Sequence, residues 1–279
     1  MSKKVYEMVT DVIIEKLNEG TIPWNQPFVN GGAVNWKTQK PYRGINTMLL
    51  SSGEYATYKQ IKEAGGKVKK GSKSSIVVFW KLLDVENEET GHEEKIPLLR
   101  YYRVFKVGEQ TEGIEPKRKN QRFEHDPIEE AETIIKNYMG KPSISYKDDG
   151  AYYQPYFDHV NVPPKSSFPQ IHDFYSTLFH ELIHSTGHKE RLDREGVANF
   201  DKFGSERYSK EELVAEIGAS MICGIVGIEN KTIDNSASYI QSWLTILKND
   251  KTLVVKASQQ AQKASDFIQG IKYEKKAVS

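Results

Sequence analysis

His180-Glu181-Leu182-Ile183-His184 sets two histidines four residues apart with a glutamate between them. On an α-helix of 3.6 residues per turn this spacing puts both imidazoles on one face, within reach of a single metal ion. Glu181 then stands beside them, where it can take a proton from a water that the metal polarises, which is the working core of a zinc metalloprotease. Such a helix must turn one polar face to a cleft and bury the rest. Ile171, Phe174, Tyr175, Leu178, Leu182 and Ile183 supply the apolar positions, Pro169 stands at the start and Gly187 at the stop, so a helix is predicted from about 169 to 185.

A zinc site of this kind needs a third protein ligand. In H-E-x-x-H-x-x-G-x-x-H it is a histidine, and His184-Ser185-Thr186-Gly187 begins that pattern, but position 190 is Glu190 and His188 comes two places early. The lone cysteine, Cys223, excludes an internal disulfide and fits a reducing compartment and a buried small apolar side chain. The remaining source is a later helix, predicted over 209–226, that carries Glu211, Glu212 and Glu216. Glu212 and Glu216 share a face, so one can bind metal while the other hydrogen-bonds a ligand imidazole; spacing does not decide which. Ser209 with Glu212 also fits a capping box, a competing use of the same carboxylate. The order Glu212-Leu213-Val214-Ala215-Glu216 is similar to the third-ligand helix of the anthrax lethal factor type of zinc protease. That resemblance implies Glu212 as ligand, Glu216 as the partner of a ligand imidazole, and Tyr208 as a donor to the oxyanion of the tetrahedral intermediate.

The chain of 279 residues has room for two ordinary domains, and its net charge of +1 hides an asymmetry. Residues 1–125 hold 21 Lys and Arg against 16 Asp and Glu, and six of those acids fall between Asp84 and Glu94. The basic excess makes a polyanion the expected partner of this half. A first helix is predicted from Val5 to Leu17, an aromatic-rich loop over 21–42 containing Trp24, and two short helices over 43–50 and 57–64. In the basic turn Lys67–Lys73, Ser72 separates Gly71 from Lys73, so a phosphate-binding loop is excluded. Strands over 75–83 and 96–107 form a long hairpin bearing aromatic and basic side chains, a combination that stacks bases and neutralises phosphates. The candidate DNA contacts are Trp24, Arg43, Lys69, Lys70, Lys73, Trp80, Arg100 and Tyr102.

Gln110 to Pro127 shows no apolar period and reads as the interdomain linker. The second half begins with a helix over 128–139 and a small sheet, in which Tyr156–Val162 is the expected edge strand along the cleft, and ends in helices over 236–249 and 251–268. The longest apolar run, Ile217 to Ile228, is too short to span a bilayer, and the N-terminal stretch has no apolar targeting core, so a cytoplasmic protein is expected.

Taken whole, the sequence resembles the ArdC-type antirestriction proteins of conjugative plasmids. The first half is similar to their single-stranded-DNA-binding domain in Ile22-Pro23-Trp24, Pro41-Tyr42-Arg43-Gly44-Ile45-Asn46, Thr57–Gln60, Gly65–Gly71, Tyr102–Phe105 and Gln110–Gly113. The second half is similar to their metallopeptidase domain in Asp158, Pro163, His180–His184, Gly187-His188, Arg191–Arg194, Glu211–Glu216 and Tyr239–Leu244. Ser185-Thr186 departs from the bulkier aromatic that relatives often carry after the second histidine. The resemblance implies an α+β protein of two domains. Residues 1–115 are expected to bind single-stranded DNA, 116–126 to link, and 127–279 to form a mainly helical zincin-like domain holding Zn2+ through His180, His184 and Glu212 with Glu181 as general base. It further implies protection of incoming mobile-element DNA from host restriction. The other readings are a DNA-binding shield with a structural or vestigial metal site, and a protease acting on DNA-bound or DNA-crosslinked proteins.

Overall fold

The computed structural model describes residues 2–25, 32–86, 93–118, 126–198, 206–228 and 237–271. The architecture is α+β, in two units that the chain enters more than once. The first unit takes Met1–Pro23, Asn30–Arg122 and Ile240–Val255; the second takes Trp24–Val29, Phe123–Tyr239 and Lys256–Ser279. This differs from the sequential division expected around 116–126, and local bonds give the reason. The Thr10 hydroxyl donates to the Lys251 carbonyl at 2.6 Å and the Lys251 ammonium meets Asp11 at 2.6 Å, which ties a C-terminal segment to the first helix. Trp24 is buried in the second unit, where its carbonyl accepts from the Ser220 hydroxyl.

In the first unit, helix α1 (Ser2–Asn18) buries Val5, Val9, Ile13 and Leu17 at helical spacing and ends before Gly20, whose φ of 76° suits glycine. Then come β1 (Ala33–Asn35), α2 (Asn46–Leu49), β2 (Gly53–Thr57), α3 (Tyr58–Glu63), β3 (Lys67–Val68), β4 (Ser75–Glu86), β5 (Glu93–Lys106) and β6 (Thr111–Glu112). The main sheet runs β1-β2-β5-β4, with β1 parallel to β2 and the other pairs antiparallel. Thr57 and Gln60 cap α3 reciprocally. Helix α2 is shorter than the predicted 43–50, because Gly44 just before it has a φ of 58° that no helix accommodates.

The hairpin is longer than expected: backbone pairing continues through Asp84↔Lys95 to Glu86↔Glu93, so Asp84, Glu86, Glu93 and Glu94 of the acidic segment lie in strands. The basic turn is also more ordered than expected, since Lys67 and Val68 pair with Glu112 and Thr111 of the stretch read as linker. At the sheet's open edge the Asn46 side chain accepts from the Val78 N–H and donates to its carbonyl, both at 2.8 Å, in place of a neighbouring strand.

The second unit contains α4 (Pro127–Asn137), β7 (Ser143–Ser145), β8 (Tyr152–Gln154), β9 (His159–Asn161), α5 (Ile171–Ser185), α6 (Glu195–Ala198) and α7 (Glu206–Val226). Helix α9 (Leu253–Ile268) follows, after α8 (Ala237–Asn249), most of which belongs to the first unit. Asp126 caps α4 by accepting from the Ile128 N–H at 2.8 Å. The sheet order is β7-β9-β8. β9, within the stretch expected to border the cleft, is therefore the central strand with both edges used, and the edge strands are β7 and β8, of which β8 lines the cavity with Tyr152 and Tyr153. Helix α7 begins at Glu206, so Ser209 lies inside the helix and not at the N-cap position that the predicted capping box requires.

Helices α5 and α7 form the core of this unit. Phe174, Tyr175, Leu178, Phe179, Leu182 and Ile183 are all at most 1% exposed. Gly218 of α7 lies against Ile183; a Cβ at this position would sit 2.7 Å from Ile183 Cδ1 and 3.0 Å from its two γ carbons. The missing side chain thus sets how closely the helices cross, next to the second motif histidine. Arg191 then holds the sheet to α5: it donates to the Ser185 carbonyl at 2.7 Å and to the Asp158 carboxylate at 3.0 Å, and Tyr153 of β8 donates to that same carboxylate at 2.9 Å.

Gly218→Ala is expected to destabilise the chain. Overpacking a core costs about 1–3 kcal/mol, and the alanine's better helix propensity returns about 1 kcal/mol. A urea midpoint below the parent's is the expected result, and a midpoint equal to or above it would contradict the close crossing.

Candidate metal centre

The two motif histidines lie one turn apart on α5, with ring centroids 4.8 Å apart and Nε2 atoms 3.1 Å apart. Glu212 arrives from α7 and spans both, Oε2 at 3.5 Å from His180 Nε2 and Oε1 at 3.4 Å from His184 Nε2. Among the described residues, His180, His184 and Glu212 are the group whose donor atoms converge tightly enough to hold a metal ion. Ligands at about 2.05 Å from a tetrahedral zinc stand roughly 3.3 Å from one another. The observed separations lie on either side of that value, so the donor triangle fits such an ion without rearrangement of the helices.

Glu211, the neighbour of Glu212, reaches the other side of the same imidazole. Its Oε1 lies 3.2 Å from His184 Nδ1. A proton on Nδ1 shared with this carboxylate leaves the Nε2 lone pair free for a cation. Glu211 is itself gripped by Arg194, whose Nη2 donates to Oε1 at 2.6 Å and whose Nε donates to Oε2 at 3.0 Å. The same guanidinium donates to the Ile183 carbonyl and the Thr186 hydroxyl at the end of α5. Arg194 and Glu211 are 5% and 7% exposed, so this is a buried, fully bonded ion pair.

The electrostatics follow. Burial alone would lower the His184 pKa, but hydrogen bonds and charge from Glu211 and Glu212 outweigh it and push the pKa up to about 10. Burial would raise the carboxyls of Glu211 and Glu212; Arg194 and His184 hold the first below its usual range, and His180 and His184 do so for the second. The site is built to keep two carboxylates ionised around positive charge.

Glu216 does something else. Its carboxylate accepts from the Trp24 indole at 2.8 Å and from the Tyr239 hydroxyl, and burial pushes its pKa up to about 7. The expected partnership of Glu216 with a ligand imidazole is corrected: Glu211 takes that place. Neighbouring helical residues point about 100° apart, so only the helix crossing decides which glutamate meets which imidazole. The signals available in the sequence were the doubled Glu211-Glu212 and the arginine at 194.

Glu181 is 8% exposed and lines a cavity of about 260 Å³ together with His180, His184, Glu212 and the Tyr152 and Tyr153 of β8. Tyr208 lies in the first turn of α7, with a side chain outside the described residues.

Of the candidate DNA contacts, Trp24 is buried at 2% exposure with its indole on Glu216, which corrects its expected place on a nucleic-acid surface. Lys69 is half-buried and donates to the carbonyls of Gly108 and Glu109, so it ties the basic turn to the loop between β5 and β6. Arg43 is half-buried, whereas Lys70 and Lys73 are exposed. On the hairpin, Arg100 and Tyr102 share one face, and Trp80 is on the other, where its ring meets Tyr6 of α1.

Residues 129–260 match the zincin-like metallopeptidase family, and residues 3–105 match the N-terminal domain of the anti-restriction factor ArdC. The chain is 33% identical over 301 residues to a DNA primase TraC of Escherichia coli, with 99% of the chain covered but only 20% of that relative. It therefore spans about a fifth of that protein's length. It is 31% identical to the uncharacterized protein y4eC of Sinorhizobium fredii, with 95% of this chain and 91% of that one covered. Two crystal structures of the antirestriction protein ArdC from plasmid R388 cover 95% of this chain and 97% of theirs. The metal-free one is 36% identical with a TM-score of 0.74, and the Mn(II)-bound one 35% identical with a TM-score of 0.73. With both halves matched in order and 95% of its length shared with a solved relative, the chain belongs to the family of ArdC-type antirestriction proteins.

Proposed function

We propose that the chain binds single-stranded DNA through its first unit and is a Zn-dependent peptidase in its second, serving to protect incoming DNA from restriction. The observation that carries the peptidase reading is the donor triangle of His180, His184 and Glu212 beside the buried Glu181 in one cavity. Two imidazoles and one carboxylate are a donor set typical of catalytic zinc, which keeps a fourth position open. The Mn(II)-bound relative indicates that a site of this family accepts other divalent ions. When bound, such an ion acts as a Lewis acid on a carbonyl and makes water a stronger acid.

The chain's own residues supply the rest. Glu181 takes a proton and returns it to the leaving amine. Glu211 and Arg194 hold His184 in its metal-facing orientation. β8 has one free edge and its residues line the cavity, so it is the strand along which an extended peptide would lie. The solved relative exists both metal-free and Mn(II)-bound, which supports an exchangeable ion over a structural staple.

Glu181→Gln should keep the metal and lose peptidase activity by about 10²-fold or more; undiminished cleavage would remove Glu181 from the mechanism. If that variant protects DNA as well as the parent does, the protein acts as a DNA-binding shield. Cleavage of a DNA-crosslinked protein that DNA stimulates would instead identify the crosslink protease. Glu211→Gln should weaken metal binding by about 10–100-fold, read by competition with a chelating dye, and unchanged affinity would make Glu211 a bystander. Affinity for single-stranded DNA should fall steeply between 50 and 200 mM salt, while a flat dependence would contradict phosphate contacts from the basic half.

A further inference from the structure

Phe79 of β4 and Tyr102 of β5 stand on one face of the hairpin, 46% and 48% exposed, with ring centroids 5.8 Å apart and planes at 65°. Phe79 rests on the buried ring of Tyr42 at 6.2 Å, so the pair is founded on the core and not carried on a loop. Arg100 lies directly opposite Phe79 in the strand register, on the same face, and is exposed. No acid occurs among the described side chains of this face, which continue through Leu98, Val77 and Val104. Two half-exposed aromatic rings in contact are a surface that water does not favour, and a ligand with flat apolar faces would cover it.

We infer that Phe79 and Tyr102 form a stacking step for two successive unpaired bases, with Arg100 contacting the intervening phosphate. This rests on the single-stranded-DNA reading above and names the residues that would receive the bases. The charge balance selects the occupant: residues 1–125 carry a basic excess, and an apolar peptide would leave the Arg100 guanidinium unmatched. A duplex hides its base faces inside the stack and offers the rings nothing. Trp80 on the opposite face already meets Tyr6 of α1, so it lies outside this step.

The test is equilibrium binding of the full-length protein to a fluorescein-labelled oligothymidylate, followed by anisotropy at several salt concentrations. Phe79→Leu and Tyr102→Leu should each weaken binding about 5- to 100-fold with an unchanged salt slope. Phe79→Trp should restore affinity, which a folding defect would not allow. Arg100→Gln should lower the salt slope by about 0.7. Tyr101→Leu, on the face of Trp80, should bind like the parent. If the parent binds and both leucine variants bind equally well, the stacking step is overturned while DNA binding stands. If the parent does not bind, the reading beneath it fails as well.

Discussion

Everything proposed for the second unit depends on one carboxylate lying between two imidazoles that come from a different helix. Glu212 is within 3.5 Å of His180 and His184 only because α7 crosses α5 at the distance that Gly218 permits against Ile183. Three polar groups would not gather in a half-buried pocket for their own sake, since removing charge from water is costly unless each charge finds a partner. The apolar faces of the two helices supply the association. The Arg194–Glu211 pair then fixes the orientation of His184, and the cavity beside Glu181 is the place the proposed function gives to a substrate.

The sequence made the motif helix legible because its information is local: a period of 3.6 residues, a glycine at the stop, and histidines at the spacing of one turn. It also limited the third ligand to a helix some thirty residues on. What it left open was which of three glutamates faces which imidazole. That is a property of how two helices cross, and the hydrophobic pattern of α7 does not encode it because its apolar residues are spread around the helix and form no single face. Glu216 illustrates the point: it turns away to Trp24 and Tyr239, and Trp24 thereby becomes a buried hydrogen-bond donor and not a surface for bases. The exchange of β9 for β8 has a similar origin. Alternation identifies a strand but not its neighbours, and β9 is enclosed only because β7 pairs with it in parallel from earlier in the chain.

The first unit uses different physics. Its long hairpin carries aromatic and basic side chains on both faces, and register alone separates them into a face that meets α1 and a face on which Phe79, Arg100 and Tyr102 stand together. Charge asymmetry could be counted from the residues, but the pairing that brings Phe79 beside Tyr102 across more than twenty positions could not. The proposed function thus gives the two units complementary chemistry, one for bases and phosphates and one for a peptide bond, in a family that includes the solved antirestriction protein of plasmid R388.

The most direct measurement is the metal content of the purified protein beside its Glu212→Gln and Glu216→Gln variants after equilibration with zinc. A stoichiometric ion is expected in the parent and in Glu216→Gln, and a lost or strongly weakened ion in Glu212→Gln. Retention of zinc by Glu212→Gln together with its loss from Glu216→Gln would contradict the assignment of the metal centre.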